Sequence, residues 1–328
     1  MTSESWAQLS NGLVYSKIIV LAIALVAFAL DLAVGSGYQR LQADRRRHHL
    51  AQRAAAGGAV AVAAPPATTD LARSERWSRV GVSLTLLAAV LVSLAVLARG
   101  ISAQRPPWGN MYEFTVTGVA VLLVIWVAMV GRRRDWRDLG IIVVLFSLLS
   151  LGIAVLVLYT ESAELIPALK SYWLWIHVSA AIIASAVFTV GSLASVLYLF
   201  AERTERRVAA GQSSGLLDAF GSRLPRSDSL DRVAYQTIAF AFPLWFFAVV
   251  AGAIWAEDAW GRYWGWDPKE TWAFVTLVVY AAYLHARSTA GWRGRPAAII
   301  AIVGLAAFLF SYFGVNIFFV GFHSYGGL

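Results

Sequence analysis

The sequence predicts an all-α, polytopic membrane protein with about eight transmembrane helices and both termini outside the cell. Hydrophobic residues make up 59% of the chain and charged residues only 14%, against roughly 25% charged in an ordinary soluble domain. The mean hydropathy is +0.64, and a soluble fold could not bury so much apolar surface. Apolar runs near the ~20 residues that cross a bilayer as a helix recur along the chain. They lie at about 14–34, 80–98, 113–131, 139–159, 174–200, 234–256, 272–286 and 297–319.

The first and seventh spans need separate justification. Lys17 and Asp31 lie near the two ends of the first span, where long side chains can reach the membrane interface. This span is predicted to be an uncleaved helix, because no basic residue precedes Lys17 and no small-residue cleavage site follows. The apolar run 272–286 is short, so its helix is expected to begin inside the preceding Trp-rich segment.

The basic residues predict the orientation. Of the 27 Lys and Arg residues, 21 fall in one set of alternate connections, which the positive-inside rule makes cytoplasmic. The formal charge of +8 is therefore a topology signal, and nucleic acid is not expected as a partner. The two long connections on this side, 51–79 and 201–233, are interpreted as flexible.

Absent residues and motifs exclude several functions. The chain has no Cys, which removes disulfides, thiolate metal sites and Fe–S ligation. It contains no P-loop, HExxH, GxSxG or strand-linked GxGxxG motif, so nucleotide or ester hydrolysis is not expected.

The segment 255–272, called here the Trp loop, concentrates aromatic residues on the predicted outer side. It holds five Trp and one Tyr within 18 residues, with glycines, a proline and four acids between them. One interpretation is an interfacial aromatic belt. A belt is spread over many helix ends, however, whereas glycines and indoles in one loop favour stacking of a large planar ligand.

The histidines point to the same face. His177 lies at the outer start of the fifth span and His323 follows the eighth. Two neutral imidazoles beside an aromatic surface suggest axial ligands of a metal in a flat macrocycle. His285 lies 13 residues beyond Trp272, about 20 Å deeper along a helix, where an ionisable residue is a functional candidate. His48 and His49 lie in an Arg-rich cytoplasmic run and are interpreted as solvated.

Residues 260–270, WGRYWGWDPKE, resemble the WWD signature of haem-handling membrane proteins. Companion segments resemble the CcsA/ResC branch of the cytochrome c assembly family, from the two-protein System II pathway. The similarity covers roughly residues 80–328, and the companions are PWGNMYE at 107–113, WIH at 175–177, YLHAR at 283–287, GVN at 314–316 and HSYG at 323–326.

The resemblance implies a domain division and a set of site residues. Residues 1–79 would form the first transmembrane helix and a flexible basic linker, and residues 80–328 a seven-helix haem-handling domain with the external Trp loop. His177 and His323 match the external ligands of haem iron, and His285 matches an intramembrane haem site. The residues expected to bind the macrocycle are Trp260, Trp264, Trp266, Asp267 and Trp272, and no catalytic residue is singled out.

The resemblance also implies an activity. The protein would bind reduced haem b transiently at the external face of the plasma membrane. It would present the haem for thioether attachment to the Cys-x-x-Cys-His motif of apocytochrome c, as a subunit of a cytochrome c synthase (haem lyase). Implied partners are a CcsB/ResB-type companion, which would supply the second ligand at His285, apocytochrome c and thiol-reducing proteins. Two alternatives remain open: a permease for haem or another aromatic molecule without a covalent step, and a structural subunit of a respiratory complex.

Overall fold

A computed structural model describes residues 2–56, 68–132, 134–162, 170–212, 216–222, 224–289 and 291–323. The described residues form helices and connections without any strand, which confirms the predicted all-α fold. The helices are α1 (Ser3–Ala56), α2 (Thr68–Ala103), α3 (Met111–Arg132), α4 (Gly140–Leu156), α5 (Tyr172–Ala209), α6 (Leu216–Gly221), α7 (Ser227–Trp260), α8 (Pro268–Thr289), α9 (Arg295–Leu309) and α10 (Val315–Phe318). A 3₁₀ turn, Arg134–Leu139, precedes α4, and a π turn, Phe310–Gly314, joins α9 to α10.

Each of the eight predicted spans overlaps these helices, and the protein is a polytopic membrane protein. Six segments of the described chain are long and apolar enough to cross a membrane: Ser3–Ala33, Glu75–Ala103, Met111–Arg132, Tyr172–Ala209, Ser227–Trp260 and Arg295–Phe318. The apolar helix α4 has 17 residues, fewer than the ~20 of a full span. Helix α8 begins at Pro268, inside the Trp loop, as predicted for the short run 272–286.

The two connections predicted to be flexible are largely helical where they are described. Helix α1 continues through residue 56 and α2 begins at residue 68, while residues 57–67 lie outside the described residues. The second connection contains the end of α5, all of α6 and the start of α7. The Ala- and Arg-rich sequences favour helix, and extending an existing helix costs far less than starting one.

Helix α5 lies at the centre of the bundle. Of its most apolar 18-residue window, 89% is buried, against 28–50% for the other five candidate spans. Small residues allow the close packing: a Cβ on Gly191 would lie 2.5 Å from Thr237 Oγ1 of α7. The contacts of α5 with α3, α7 and α9 bring the N-terminus of α5 to the same end of the bundle as the Trp loop.

Lys17 corrects the interpretation of the first span. The sequence suggests a side chain that reaches the membrane interface, but Lys17 is 0% exposed and its Nζ has no hydrogen-bond partner among the described residues. Lys17 shares a helical face with Val14, Leu21 and Ala24, which are buried as well. Because this face of α1 packs against α2 and α4, the side chain of Lys17 lies in the interior of the bundle.

Candidate functional site

A cavity of about 200 Å³ lies at the end of the bundle where α3 and α5 begin and α7 ends. The Trp loop, the first turns of α8, the π turn and His323 complete its wall. Most of its lining is apolar or aromatic, which suits a flat hydrophobic ligand. Its aromatic residues are Trp108, Phe114, Trp245, Trp255, Tyr263, Trp264, Phe308 and Tyr312.

Two predicted ligands, His177 and His323, both line this cavity. Nδ1 of His177 lies 2.6 Å from the carbonyl oxygen of Ala248. A carbonyl can only accept, so Nδ1 carries the proton and the lone pair remains on Nε2. Nδ1 of His323 lies 2.9 Å from Oδ1 of Asp267, which gives the same tautomer. Metal-binding histidines have this arrangement, in which a carbonyl or carboxylate accepts from one nitrogen and the other nitrogen binds the metal.

Glycine makes room for the first of these imidazoles. A Cβ on Gly252 of α7 would lie 2.7 Å from Cε1 and Nδ1 of His177. The ring therefore lies directly against the backbone of α7, which also provides the carbonyl of Ala248. Since both contacts come from one helix, α7 fixes the orientation of His177.

Trp255 lies between the two histidines. It is 1% exposed, and its ring is nearly parallel to that of His177 at 6.1 Å between centroids. Its centroid is 5.7 Å from that of His323 and 4.7 Å from that of Trp260. Sequence reasoning placed Trp255 in the Trp loop but did not identify it as a site residue, although the loop begins there.

Glu270 folds the Trp loop. Its buried carboxylate accepts hydrogen bonds from Arg262 Nη1 at 3.3 Å, from the Gly265 N–H at 2.8 Å and from the Asp267 N–H at 3.1 Å. Trp266 has a φ of +56°, a left-handed conformation that is uncommon for a residue other than glycine. The three hydrogen bonds to one carboxylate stabilise this turn.

Asp267 connects the loop to the C-terminal segment. Its carboxylate accepts from Lys269 N at 2.9 Å, from Phe322 N at 2.7 Å and from His323. Burial alone would raise the pKa of Asp267, but the hydrogen bonds from His323 and from the backbone N–H groups of Lys269 and Phe322 lower it. The carboxylate is therefore ionised at neutral pH.

Lys269 adds an amino group to the cavity wall. It lies in the first turn of α8, ahead of the apolar run 272–286, and its Nζ donates to the carbonyls of Ser311 at 2.9 Å and Tyr312 at 3.4 Å. Burial lowers the pKa of Lys269 to about 7, against the opposing effect of Asp267. Lys269 thus binds carbonyls of the π turn, and π turns are frequent at functional sites.

The four predicted Trp residues lie in different environments. Trp264 lines the cavity, and Trp260 packs on His323 with centroids 4.9 Å apart. Trp266 is 67% exposed, because the left-handed turn takes its side chain to the surface. Trp272 packs on Phe310 at 4.3 Å. Of the predicted cofactor-binding residues, Trp264 alone is among the residues lining the cavity.

His285 is not part of this cavity. Helix α8 runs without interruption from Pro268 to Thr289, so His285 lies about 20 Å along the helix from Trp272. Its side chain is exposed. The side chains of His48 and His49, and residues 324–326 of the final companion motif, lie outside the description.

One wall of the cavity was not predicted from sequence. Trp108, Gly109, Asn110 and Met111 line it at the start of α3. A buried ion cluster holds this wall: Arg99 Nε lies 3.0 Å and Arg105 Nη1 2.7 Å from the carboxylate of Glu113, which also accepts from Gly109 N at 2.9 Å. The PWGNMYE motif contains the four residues of this wall and could have indicated it. The role of Glu113 could not be predicted, because it depends on contacts with α2.

Comparison with known proteins identifies the family. The profile of the family described as cytochrome C assembly protein matches residues 108–323, about two thirds of the chain. The chain belongs to this family. The matched region includes both cavity histidines, the Trp loop and His285, and the resemblance predicted from the WWD signature is confirmed.

Curated members of the cytochrome c assembly family extend the similarity. A protein of Prochlorococcus marinus is 36% identical over 259 residues, covering 72% of this chain and 81% of its own length. A protein of Synechocystis is 35% identical over 304 residues, with 76% and 89% covered. A protein of Guillardia theta is 35% identical over 270 residues, with 76% and 86% covered. Each is named cytochrome c biogenesis protein CcsA.

Proposed function

We propose that this protein acts in cytochrome c biogenesis by binding haem in the aromatic cavity and presenting it to apocytochrome c. The observation that carries the proposal is the pair of imidazoles in one apolar cavity, His177 and His323, each with Nδ1 bound to an oxygen acceptor. The described residues contain no group of three or more His, Cys, Asp or Glu suited to a bare metal ion. Two imidazoles suit an iron whose other four ligands come from a porphyrin.

The cavity residues also fit the rest of a haem molecule. Trp264, Tyr312 and Phe114 provide aromatic surface for the macrocycle. Lys269 lines the cavity, and Trp108 Nε1 is a buried donor without a hydrogen-bond partner among the described residues. An amino group and an indole N–H are donors that haem carboxylates would bind.

The residues of the chain contribute orientation to the attachment step. Haem is the substrate, and the S–H groups of apocytochrome c add across its vinyl groups to form thioethers without net oxidation. His177 and His323 hold the iron and the aromatic wall limits rotation of the ring, and such positioning is worth up to about 7–11 kcal/mol. In this role the protein is a subunit of a cytochrome c synthase.

Orientation and partners complete the proposal. The 21 basic residues in alternate connections support a cytoplasmic location for the connection between α5 and α7. The cavity then faces outward across the plasma membrane, where apocytochrome c and thiol-reducing proteins meet it. The exposed side chain of His285 on α8 supports a CcsB/ResB-type companion that supplies the second ligand at that depth.

The test is haem binding by the purified protein. Apoprotein titrated with reduced haem should give a six-coordinate, bis-imidazole visible spectrum, and the His177→Ala/His323→Ala double variant should lose it. The matched control is His285→Ala, which removes an exposed imidazole outside the cavity and should keep the spectrum. A double variant with the wild-type spectrum would refute the site. Haem binding without support of cytochrome c maturation in cells would favour the permease alternative.

A further inference from the structure

Asp267 hydrogen-bonds the C-terminal segment that carries His323, and Trp260 and Arg262 of the Trp loop also contact this segment. Helix α10 ends at Phe318, and residues 319–323 are not helical. Two hydrogen bonds connect this segment to the loop: the Phe322 N–H to Oδ2 of Asp267 at 2.7 Å, and His323 Nδ1 to Oδ1 at 2.9 Å. The same carboxylate therefore binds the imidazole and the backbone next to it.

Asp267 is itself held in place. Its backbone N–H donates to Glu270, and its Oδ1 also accepts from Lys269 N at 2.9 Å. A Cβ on Gly321 would clash with Oδ2 of Asp267, so glycine allows the segment to approach the carboxylate. Because the acid is only 6% exposed, water competes weakly for these hydrogen bonds.

We propose that Asp267 is a positioning residue that orients His323 and strengthens it as the axial ligand, which makes the two haem ligands of this site unequal. The inference rests on the proposed function. His323 donates its Nδ1–H to a carboxylate, whereas His177 donates to the neutral carbonyl of Ala248. A charged acceptor forms the stronger hydrogen bond and makes the opposite nitrogen a better donor to the metal.

Asp267 therefore acts through His323 and is not a macrocycle contact. It does not line the cavity, although Lys269 and Glu270 beside it do. The two acids of the WWD segment then have different tasks. Glu270 folds the loop, and Asp267 holds the ligand that comes from another part of the chain.

The first test measures the reduction potential of haem bound to the purified full-length protein. Asp267→Asn keeps the size of the side chain and removes its charge. His323 then becomes a weaker donor, and the midpoint potential should rise, since oxidised iron loses more stabilisation than reduced iron. The matched control is Asp258→Asn, an exposed acid at the end of α7 that accepts from Ser171 Oγ. It should leave the potential unchanged, and an unchanged potential in Asp267→Asn would overturn the inference.

The second test leaves Asp267 intact, so it does not depend on folding of an Asp267 variant. In His323→Gly, added imidazole should restore the six-coordinate spectrum at roughly tenfold lower concentration than 1-methylimidazole. The methylated ligand has no N–H to donate to the carboxylate. Equal effective concentrations would overturn the inference. Wild-type protein without a bis-imidazole spectrum would refute the proposed function and the inference with it. A normal wild-type spectrum combined with either negative result refutes the inference alone.

Discussion

At the scale of single residues, Trp264 and Trp266 differ although the motif makes them look equivalent. Trp264 lines the cavity and Trp266 is 67% exposed. Their rings touch edge to face at 5.7 Å, so a substitution at either position removes the same pair contact. What differs is the surface that each indole offers to a ligand.

We expect Trp264→Ala to lower haem affinity clearly more than Trp266→Ala. Loss of an indole from the cavity removes a stacking surface worth about 0.5–1.5 kcal/mol beyond its buried area. The measurement is titration of each purified apoprotein with haem. Equal losses in the two variants would show that both indoles contact the ligand.

Gly252 gives a second comparison at this scale. Gly252→Ala should reduce haem affinity, because the added Cβ would lie 2.7 Å from the imidazole of His177 and displace it. Such overpacking costs about 1–3 kcal/mol. Gly118→Ala is the control, since a Cβ there meets nothing within 4 Å. Titration of both purified apoproteins with haem is the measurement. An unchanged haem affinity in Gly252→Ala would show that haem binding tolerates displacement of the His177 imidazole.

Among the structural elements, the connection from α2 to α3 depends on buried charge. Glu113 is bound by two guanidinium groups, and Arg99 also donates to the carbonyl of Thr160 beyond α4 at 2.5 Å. The cluster joins the ends of three helices and holds the wall at Trp108. Its carboxylate is fully buried.

Glu113→Ala should destabilise the protein by about 3–5 kcal/mol, because two buried cations lose their partner. Glu75→Ala, which breaks half-exposed pairs with Arg79 and Arg137, should cost less than about 1 kcal/mol. Thermal unfolding in detergent, followed by Trp fluorescence, measures both. Similar stabilities of the two variants would contradict a structural role for the cluster.

The elements also show how far sequence reasoning reaches. Apolar run lengths located the described helices other than α6, which lies in a connection predicted to be flexible. The density of Trp with two His at one level indicated the cavity. The sequence alone predicted neither the burial of Lys17 nor the role of Asp267. Whether Lys17 reaches the interface depends on which face of α1 packs against the bundle. The partners of Asp267 lie at Phe322 and His323, 55 and 56 positions away, and no local pattern encodes that pairing.

At the scale of the whole molecule, the orientation in the membrane is open to a direct test. The chain contains no Cys, so single cysteines can be labelled without background. A membrane-impermeant maleimide on intact cells should label Glu257→Cys, at the cavity end of α7, and not Gln212→Cys, between α5 and α6. Both positions are exposed. The reverse pattern would place the cavity in the cytoplasm.

Dependence on a companion is the second prediction for the whole molecule. Expressed alone in a host without a maturation system, the chain should form the haem site in the cavity but not mature cytochrome c. Co-expression with a CcsB/ResB-type protein should restore maturation, and His285→Ala should lower haem supply while the cavity spectrum persists. Efficient maturation by this chain alone would refute the need for a partner.

The packing of α8 has a mechanical consequence. The buried ring of Tyr280 lies flat on Phe188 of α5, with 3.7 Å between centroids, and Gly304 of α9 leaves space for it. Rotation of α8 about its axis would force this ring into the backbone of α9. The contacts of Tyr280 with α5 and α9 therefore oppose rotation of α8 within the bundle. This packing favours movement of a ligand along α8, between the level of His285 and the cavity, over rotation of the helix.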